Sequence, residues 1–527
     1  MSRSITPLVA LVWLSPVFAA PQERGPSPEA LAAGDQFARQ LGVIAQMVSR
    51  EYARPVETAD LYPAAITGLY DAARRPHPTT LLRELKAART EAERLGIVQR
   101  ARAELHGVPG LDENRDLVAA VSALTPVLDP HSVLVPSGVL NGTATGTAYG
   151  FEFDGEAQAV PEHGGRSGRR VVREGWEPIG SGAPPLPFRV LTVKPGSPGQ
   201  QAGLRPGDIV RQIDGIAAEV HEATKAFAAL HGAGPNKADP GVHHLTVDRA
   251  GRKEPLRLKL ERTDFVPESL FGVTRKSDNT WDYWLDRDGR IAYVRLGAIE
   301  NDSGERLSEL LHDLGDIRGL VFDLRWCPGG YIDPATQIAS TFLESGVVAK
   351  MKYRNPDRGE STTLRADAGL VRYKAGDYPL LVLVNVETIG GGELIAAALR
   401  DNGRAILAGT RTYGKASIQW PVSVPGLPGY SFKITGGTYT RPNGKNLQRF
   451  PDSKPDDDWG LRPDPGYEIP MSADLARKLK DLHLLYALRP GTSREAMELD
   501  DPEGDPQRLR ALKLMRKLIE DRAKKEQ

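Results

Sequence analysis

An α/β multidomain protein with helical ends is the fold class this sequence predicts, and three observations predict it. Between Pro28 and Leu128 apolar residues recur at helical spacing; from Tyr149 to about Arg262 they fall into short strand-like runs broken by Gly and Pro; from Arg290 apolar strands alternate with amphipathic helices. Alternation of the last kind marks an α/β layer with right-handed crossovers. At 527 residues the chain can bury at least two cores, and 26% charged with 40% hydrophobic residues is the balance of a soluble globular protein. The 68 basic and 68 acidic side chains cancel, so no electrostatic argument points to nucleic acid and none is expected as a partner. The single cysteine, Cys327, excludes an intrachain disulfide and a cysteine-based metal cluster; no metal or other cofactor is expected.

Residues 1–19 have the pattern of a secretory signal peptide: Arg3, an apolar run from Pro7 to Phe18, then the small residues Ala19 and Ala20. That run is shorter than the ~20 residues that span a bilayer. The mature protein is therefore expected to be soluble and exported, to a periplasm or the extracellular space. Avoidance of cysteine fits such a route.

Residues 28–135 are expected to form a helical unit. Ser27-Pro28-Glu29 is a cap with proline at the first helical position, followed by Phe37, Leu41, Ile44 and Val48 on one face. Further helices are expected at Asp60 to Ala73, Leu81 to Leu105 and Asn114 to Leu124. Leu128-Asp129-Pro130-His131-Ser132 closes the unit. His131 invites a catalytic role, but Asp-Pro-His-Ser is equally a turn whose Asp and Ser side chains bond their own backbone.

Residues 146–263 contain Gly150-Phe151-Glu152-Phe153, Phe188 to Val193, Asp208 to Ile213 and His244 to Val247 as strands. Between them Gly196-Ser197-Pro198 leads through Ala202-Gly203-Leu204 to Gly207-Asp208-Ile209, with Ile213-Asp214-Gly215 after it. This run closely resembles a PDZ domain. The resemblance implies binding of a peptide C-terminus as an added strand, its carboxylate on backbone N–H groups of a small loop. By position the loop is Thr147 to Phe151, which makes Tyr149, Gly150 and Phe151 the peptide-binding residues, and the groove helix runs from about Ala218 to Leu230. An insertion at 155–187, rich in Gly, Arg and Pro, is a surface loop or a lid over the groove. His243 and His244 are neighbours on a strand and point to opposite faces, which argues against a shared metal.

Residues 264–470 carry the layered core: a strand at Arg290 to Leu296, a helix from Ser303 striped by Leu307, Leu310, Leu311 and Leu314, a strand at Gly319 to Leu324 and a helix at Ala335 to Leu343. Next come a buried-type strand, Leu380 to Asn385, the turn Thr388-Ile389-Gly390-Gly391-Gly392-Glu393, a helix, a second strand and Tyr413-Gly414-Lys415-Ala416-Ser417-Ile418-Gln419. A strand that enters a helix through a tight glycine turn is how many hydrolases present a nucleophile beside helix-terminal N–H groups. No serine stands in this turn.

Val384-Asn385, Glu393, Gly409, Thr412-Tyr413-Gly414-Lys415 and Gln419 resemble, in order, the carboxy-terminal-processing (tail-specific) serine protease family. Asp323-Leu324-Arg325-Trp326-Cys327-Pro328-Gly329-Gly330, Leu128 to Ser132, Thr440 to Gln448, Gly460 to Asp464 and Asp505 to Leu509 extend the resemblance from Leu128 to the C-terminus. It implies a ClpP/crotonase-like protease core and, over 471–527, the family's helical tail. It also implies that Lys415 is the general base, that Gln419 orients it, and that Gly329 or Gly330 with Gly391 forms the oxyanion hole. The family's catalytic serine falls on Gly390, with the flanking serines on Thr388 and Gly392, and Cys327 replaces an asparagine.

In a Ser-Lys protease a neutral, desolvated lysine takes the proton of the serine hydroxyl as it attacks. Glycine at 390 offers no hydroxyl. The expectation is therefore a pseudoprotease that binds polypeptide C-termini or unfolded peptides through its PDZ domain. The alternative is an active serine-type peptidase whose nucleophile has moved to Thr388, Ser417 or Cys327. As in the resembled family, the helical N-terminal region is a candidate dimerisation or gating arm, so a homodimer is possible.

Overall fold

The computed structural model describes residues 26–136, 149–153, 188–217, 241–450, 453–488 and 504–526, apart from 113, 264, 266, 360 and 371–374. The expected signal peptide, the insertion at 155–187, the groove helix at 218–230 and residues Thr147 and Ala148 lie outside the described residues. No described helix is long and apolar enough to cross a membrane.

Helix α1 (Pro28–Glu51) begins where the Ser27 hydroxyl accepts from the Ala30 N–H, and Phe37, Leu41, Ile44 and Val48 are all buried along one face. It is followed by α2 (Thr58–Ala72). The stretch expected as one helix from Leu81 to Leu105 is two, α3 (Thr79–Ala87) and α4 (Glu91–Ala103). The cause is local: Thr90 and Glu93 cap one another's backbone N–H groups and start a new helix. After α5 (Arg115–Ser122) the chain enters β1 (Val133–Pro136).

Strands β2 (Phe151–Phe153), β3 (Phe188–Val193), β4 (Ile209–Ile213), β5 (Val242–Asp248) and β6 (Leu256–Glu261) pair antiparallel in that order and enclose Tyr149, Phe151, Val190, Val210, Leu245 and Val247. The two histidines of β5 do point apart: His243 is buried and its Nδ1 lies 2.6 Å from Asp214 Oδ2, whereas His244 is exposed.

The core is a parallel sheet of β7 (Ile291–Leu296), β8 (Gly319–Asp323), β9 (Leu380–Val384) and β10 (Ile406–Gly409), in that order. Helices α6 (Ser303–Leu314), α7 (Ile332–Phe342) and α8 (Gly391–Asp401) make the crossovers. Asp302, not Ser303, takes the cap position of α6, and Ser303 instead accepts the Glu300 N–H at 2.9 Å. Side chains alternate through the sheet as the pleat requires. Ala292, Val294, Leu320, Phe322, Val382 and Val384 pack towards the three crossover helices. Ile291, Tyr293, Val321, Leu381 and Leu383 pack on the opposite face.

Strands β11 (Ser417–Ser423) and β12 (Tyr430–Thr440) form a hairpin beside this sheet, and β1 pairs antiparallel with β12. Val424, Leu427, Phe432 and Ile434 from this hairpin share one core with α1 to α5. The helical region is thus fastened to the hairpin that carries Gln419. The tail comprises α9 (Ala473–Leu488) and α10 (Pro506–Glu526); Ala511, Leu512 and Met515 of α10 cover the second face of the sheet. At the start of α10 the fully buried Arg325 forks between Asp323 and Asp505, 2.7 and 2.6 Å from its Nη2, and Gln507 takes its Nη1 at 3.0 Å. Parallel strands all end on one edge, so the loops after β8, β9 and β10 converge there, which is where open α/β sheets hold their sites.

Candidate active site

The loop after β9 is stitched to the loop after β8. Asn385 Oδ1 accepts from the N–H groups of Trp326 (3.1 Å) and Glu387 (3.0 Å), and the Ile389 N–H donates to the Cys327 carbonyl at 3.0 Å. The Thr388 hydroxyl accepts from Asn385 N–H and donates to the Leu324 carbonyl, each at 2.9 Å. The turn therefore delivers Gly390 to the start of α8 at φ 55° and ψ −109°, a left-handed corner that side-chain-bearing residues rarely adopt. This is the strained strand-to-helix elbow on which hydrolases expose a nucleophile. A side-chain carbon placed at 390 would meet a single heavy atom within 4 Å beyond its chain neighbours, Lys415 Nζ at 4.0 Å. Position 391 has no such room, since a carbon there would lie 2.7 Å from Ile299 Cδ1. Gly329 packs as tightly: the same addition would fall 2.8 Å from the Gly391 nitrogen, which sets the 329–330 loop directly beside the start of α8. The Gly330 and Gly391 N–H groups have no hydrogen-bond partner among the described residues, so both are available as donors.

The Lys415 segment is hung from one buried carboxylate. Glu393, in the first turn of α8, accepts from the Thr412 hydroxyl and from the N–H groups of Gly414 (2.7 Å), Lys415 (2.8 Å) and Gly390 (3.1 Å). Burial pushes its carboxyl up to about 7, against the four donors that favour the ionised form. The Tyr439 hydroxyl lies 2.8 Å from the Gly390 carbonyl oxygen and 3.0 Å from that of Lys415, and donates to either. Elbow and base are thus clamped to one another from two sides.

Lys415 Nζ donates to Gln419 Oε1 at 2.8 Å and to the Ser417 carbonyl at 3.1 Å. Burial, and next the charge of Lys433, bring its pKa down to about 8. Gln419 is oriented in turn: its Nε2 donates to Ser417 Oγ and to Thr435 Oγ1, both at 2.9 Å. Thr435 Oγ1 donates to Asp129 Oδ1 at 3.2 Å, and the Thr435 N–H donates to Ser132 Oγ at 3.0 Å. Asp129 Oδ1 also accepts the backbone N–H of His131 (2.7 Å) and of Ser132 (3.0 Å), as a turn of this composition should. His131 supplies the relay with a backbone N–H. Its ring, buried and facing the Lys415 charge, is held down to about 4 and is neutral at neutral pH.

Residues 290–458 match peptidase family S41, and residues 189–238 match a PDZ domain. The S41 match falls on the parallel-sheet core and the hairpin beside it. The chain is 29% identical over 54% of its length to a carboxyl-terminal-processing protease of Synechocystis, and 26% identical over 54% to a carboxy-terminal-processing protease of Bartonella bacilliformis. Against the carboxy-terminal processing protease CtpB of Bacillus subtilis the identity is 25% over 50% of the chain. The matched regions span 60, 59 and 51% of those three relatives.

The residues singled out from sequence fall into two places. Gly390, Gly391, Gly329, Gly330, Lys415 and Gln419 meet at the sheet edge. Tyr149 and Gly150 lead into β2 at Phe151, and there the Gly199 N–H donates to the Tyr149 carbonyl at 2.8 Å and the Lys194 N–H to that of Gly150 at 2.7 Å. Lys194 also forms an ion pair with Glu300 of the core at 3.5 Å. Of the other hydroxyl and thiol groups, that of Thr388 is spent on Leu324, and that of Ser417 accepts from Gln419. The Cys327 thiol is fully buried and pushed up to about 12 by desolvation. Sequence reasoning assigned no role at the site to Glu393, Tyr439 or Thr435, and gave Asp129 only its own turn. For Glu393 a signal existed, since an acid three residues into a helix after a glycine turn has backbone N–H groups within reach.

Proposed function

We propose that this S41 chain is a pseudoprotease: it keeps the base, the orienting glutamine and the oxyanion donors of a Ser-Lys peptidase, lacks the nucleophile, and binds polypeptide C-termini through its PDZ domain. The observation that carries this reading is the elbow itself, where, among the described residues and chain neighbours aside, the only heavy atom within 4 Å of an added side-chain carbon is the Lys415 amine. The bonding of Thr388, Ser417 and Cys327 supports it further. Each hydroxyl or thiol is either committed to another partner or held as an unreactive thiol, so a relocated nucleophile is the weaker reading. The protein acts in this view as an exported adaptor or regulator that holds peptide tails, with the helical N-terminal region available for self-association.

The test pairs binding with cleavage. Purified mature protein is titrated with an unstructured polypeptide ending in apolar residues, and the mixture is followed for new termini by mass spectrometry. Binding without cleavage is expected. Cleavage by the natural protein that disappears in Lys415→Ala would move the assignment to an active peptidase.

A further inference from the structure

Removal of the serine leaves a charge as well as a space. The Lys415 ammonium has three N–H donors. Two are taken by the neutral oxygens of Gln419 and Ser417, and the third is left on the side of position 390, 4.0 Å from where its side chain would start. No carboxylate among the described residues forms an ion pair with it. The acids whose charge reaches it, Asp129 and Glu393, are committed to backbone and hydroxyl donors, and Lys433 adds a second positive charge. Position 390 adjoins Gly391 in the chain, a carbon built at 391 would lie 3.4 Å from the Gly330 nitrogen, and neither the Gly330 nor the Gly391 N–H has an acceptor among the described residues.

We propose that the vacated serine position binds the terminal carboxylate of a polypeptide, one oxygen on the Lys415 ammonium and the other on the Gly330 and Gly391 N–H groups. The inference rests on the reading that position 390 carries no nucleophile. In an acyl-transfer site the reacting carbon holds one oxygen in the oxyanion hole and a second on the nucleophile. A carboxylate has the same two oxygens on one carbon. With the serine present, the hydroxyl fills the second oxygen's place; with glycine there, that place is open and faces a cation. The pair is charge-assisted on one side and doubly donated on the other, the strong form of carboxylate recognition. A C-terminal amide would set an NH2 donor against one of the two donor groups and lose the charge. The site is thus a second tail-binding site, distinct from the PDZ loop and selective for a free C-terminus. Lys415 holds its proton up to a pH of about 8, with Asp129 and Glu393 favouring it, Lys433 opposing it and His131 neutral beside it. Affinity is accordingly flat below that pH and falls about tenfold per unit above it.

Calorimetry of the full mature protein with a short N-acetylated apolar peptide, as free acid and as amide, tests this. The free acid is expected to fill two sites. Lys415→Gln abolishes one of them, weakening it at least tenfold. Gly150→Val abolishes the other, because position 150 has φ 68° and an added carbon there would lie 2.3 Å from Ser197 Cβ. The site that survives Gly150→Val should reject the amide and weaken above pH 8. Gly390→Ala fills the gap without touching the lysine and should remove the same site as Lys415→Gln, so a folding defect in the latter does not obscure the result. A single site that survives both Lys415→Gln and Gly390→Ala but vanishes in Gly150→Val overturns the inference and leaves the PDZ reading intact. A single site with the opposite behaviour supports the inference and overturns the PDZ reading. No binding, or cleavage of the peptide by the natural protein, overturns both.

Discussion

If the chain is the pseudoprotease proposed above, Gly390→Ser returns the one group that its site lacks, and the structure sets what it should do. The serine Cβ would start 4.0 Å from Lys415 Nζ with no other neighbour in contact, so a hydroxyl one bond further out reaches the amine at hydrogen-bonding distance, about 2.6–3.2 Å. Lys415 is already oriented by Gln419 and titrates near 8, so it can accept the hydroxyl proton at a pH where the protein is folded. In a triad protease, loss of the nucleophile costs about 10⁶ in kcat and leaves ~10³–10⁴ over water. The variant should therefore cut an unstructured polypeptide at least ~10³-fold faster than the natural protein. Its rate should rise with pH through about 8, because the base works when deprotonated, and Gly390→Ser/Lys415→Ala should return to background. The elbow imposes a cost: φ 55° strains a serine by on the order of 1–3 kcal/mol. At roughly 2–4 °C per kcal/mol, Tm should fall by several degrees. Cleavage is followed by mass spectrometry and folding by calorimetry. A folded Gly390→Ser protein that binds peptide and does not cut it would refute the claim that elbow, base and oxyanion donors are intact.

Tyr439→Phe in the Gly390→Ser background removes the hydroxyl that ties the elbow carbonyl to that of Lys415; kcat should drop about tenfold with little change in KM, and stability by about 1 kcal/mol in urea unfolding. Asp505→Asn leaves the fully buried Arg325 guanidinium with a neutral partner where a carboxylate stood. It should lower unfolding stability by about 3 kcal/mol, and a loss below 1 kcal/mol would show that Asp323 and Gln507 satisfy Arg325 without it.

The parts of this molecule that were legible in the sequence are those whose cause is local. Ser27 with Pro28 starts α1, the unbroken apolar run Leu380 to Val384 seats a buried parallel strand, and the Asp129 turn bonds its own backbone, all within a few residues. The break between α3 and α4 has an equally local cause, the Thr90 and Glu93 caps, which the reading of one helix from Leu81 to Leu105 passed over. What the sequence withheld is set by distance along the chain. Asp129 reaches Lys415 only through Thr435 and Gln419, because β1 pairs with β12, and nothing near Asp129 encodes that pairing. Tyr439 alternates inward on a strand like any core tyrosine, and only the approach of the elbow turns its hydroxyl into a clamp. Arg325 would pass for a surface arginine until Asp505 is folded under it.

The half-buried Lys415 allows the charge argument to be tested without peptide or catalysis. Lys415 titrates near 8 in the folded protein, against 10.5 for a free side chain, so the folded state binds its proton less tightly than the unfolded state. The difference amounts to roughly 3 kcal/mol at 1.36 kcal/mol per unit. For a lysine depressed in this way the penalty is present in full below the folded pKa and is relieved as pH rises towards the unfolded one. Lys415→Met removes the titration and leaves the Gln419 and Ser417 oxygens without their donor, a cost that does not vary with pH. The natural protein should therefore gain stability relative to Lys415→Met as pH rises from 8 to 10, and the difference should be flat from 6 to 7.5. Urea unfolding of both proteins across that range measures it. A difference that stays level through pH 10 would mean that the ammonium is solvated or already neutralised, and the vacated position would then have no unbalanced charge with which to hold a carboxylate.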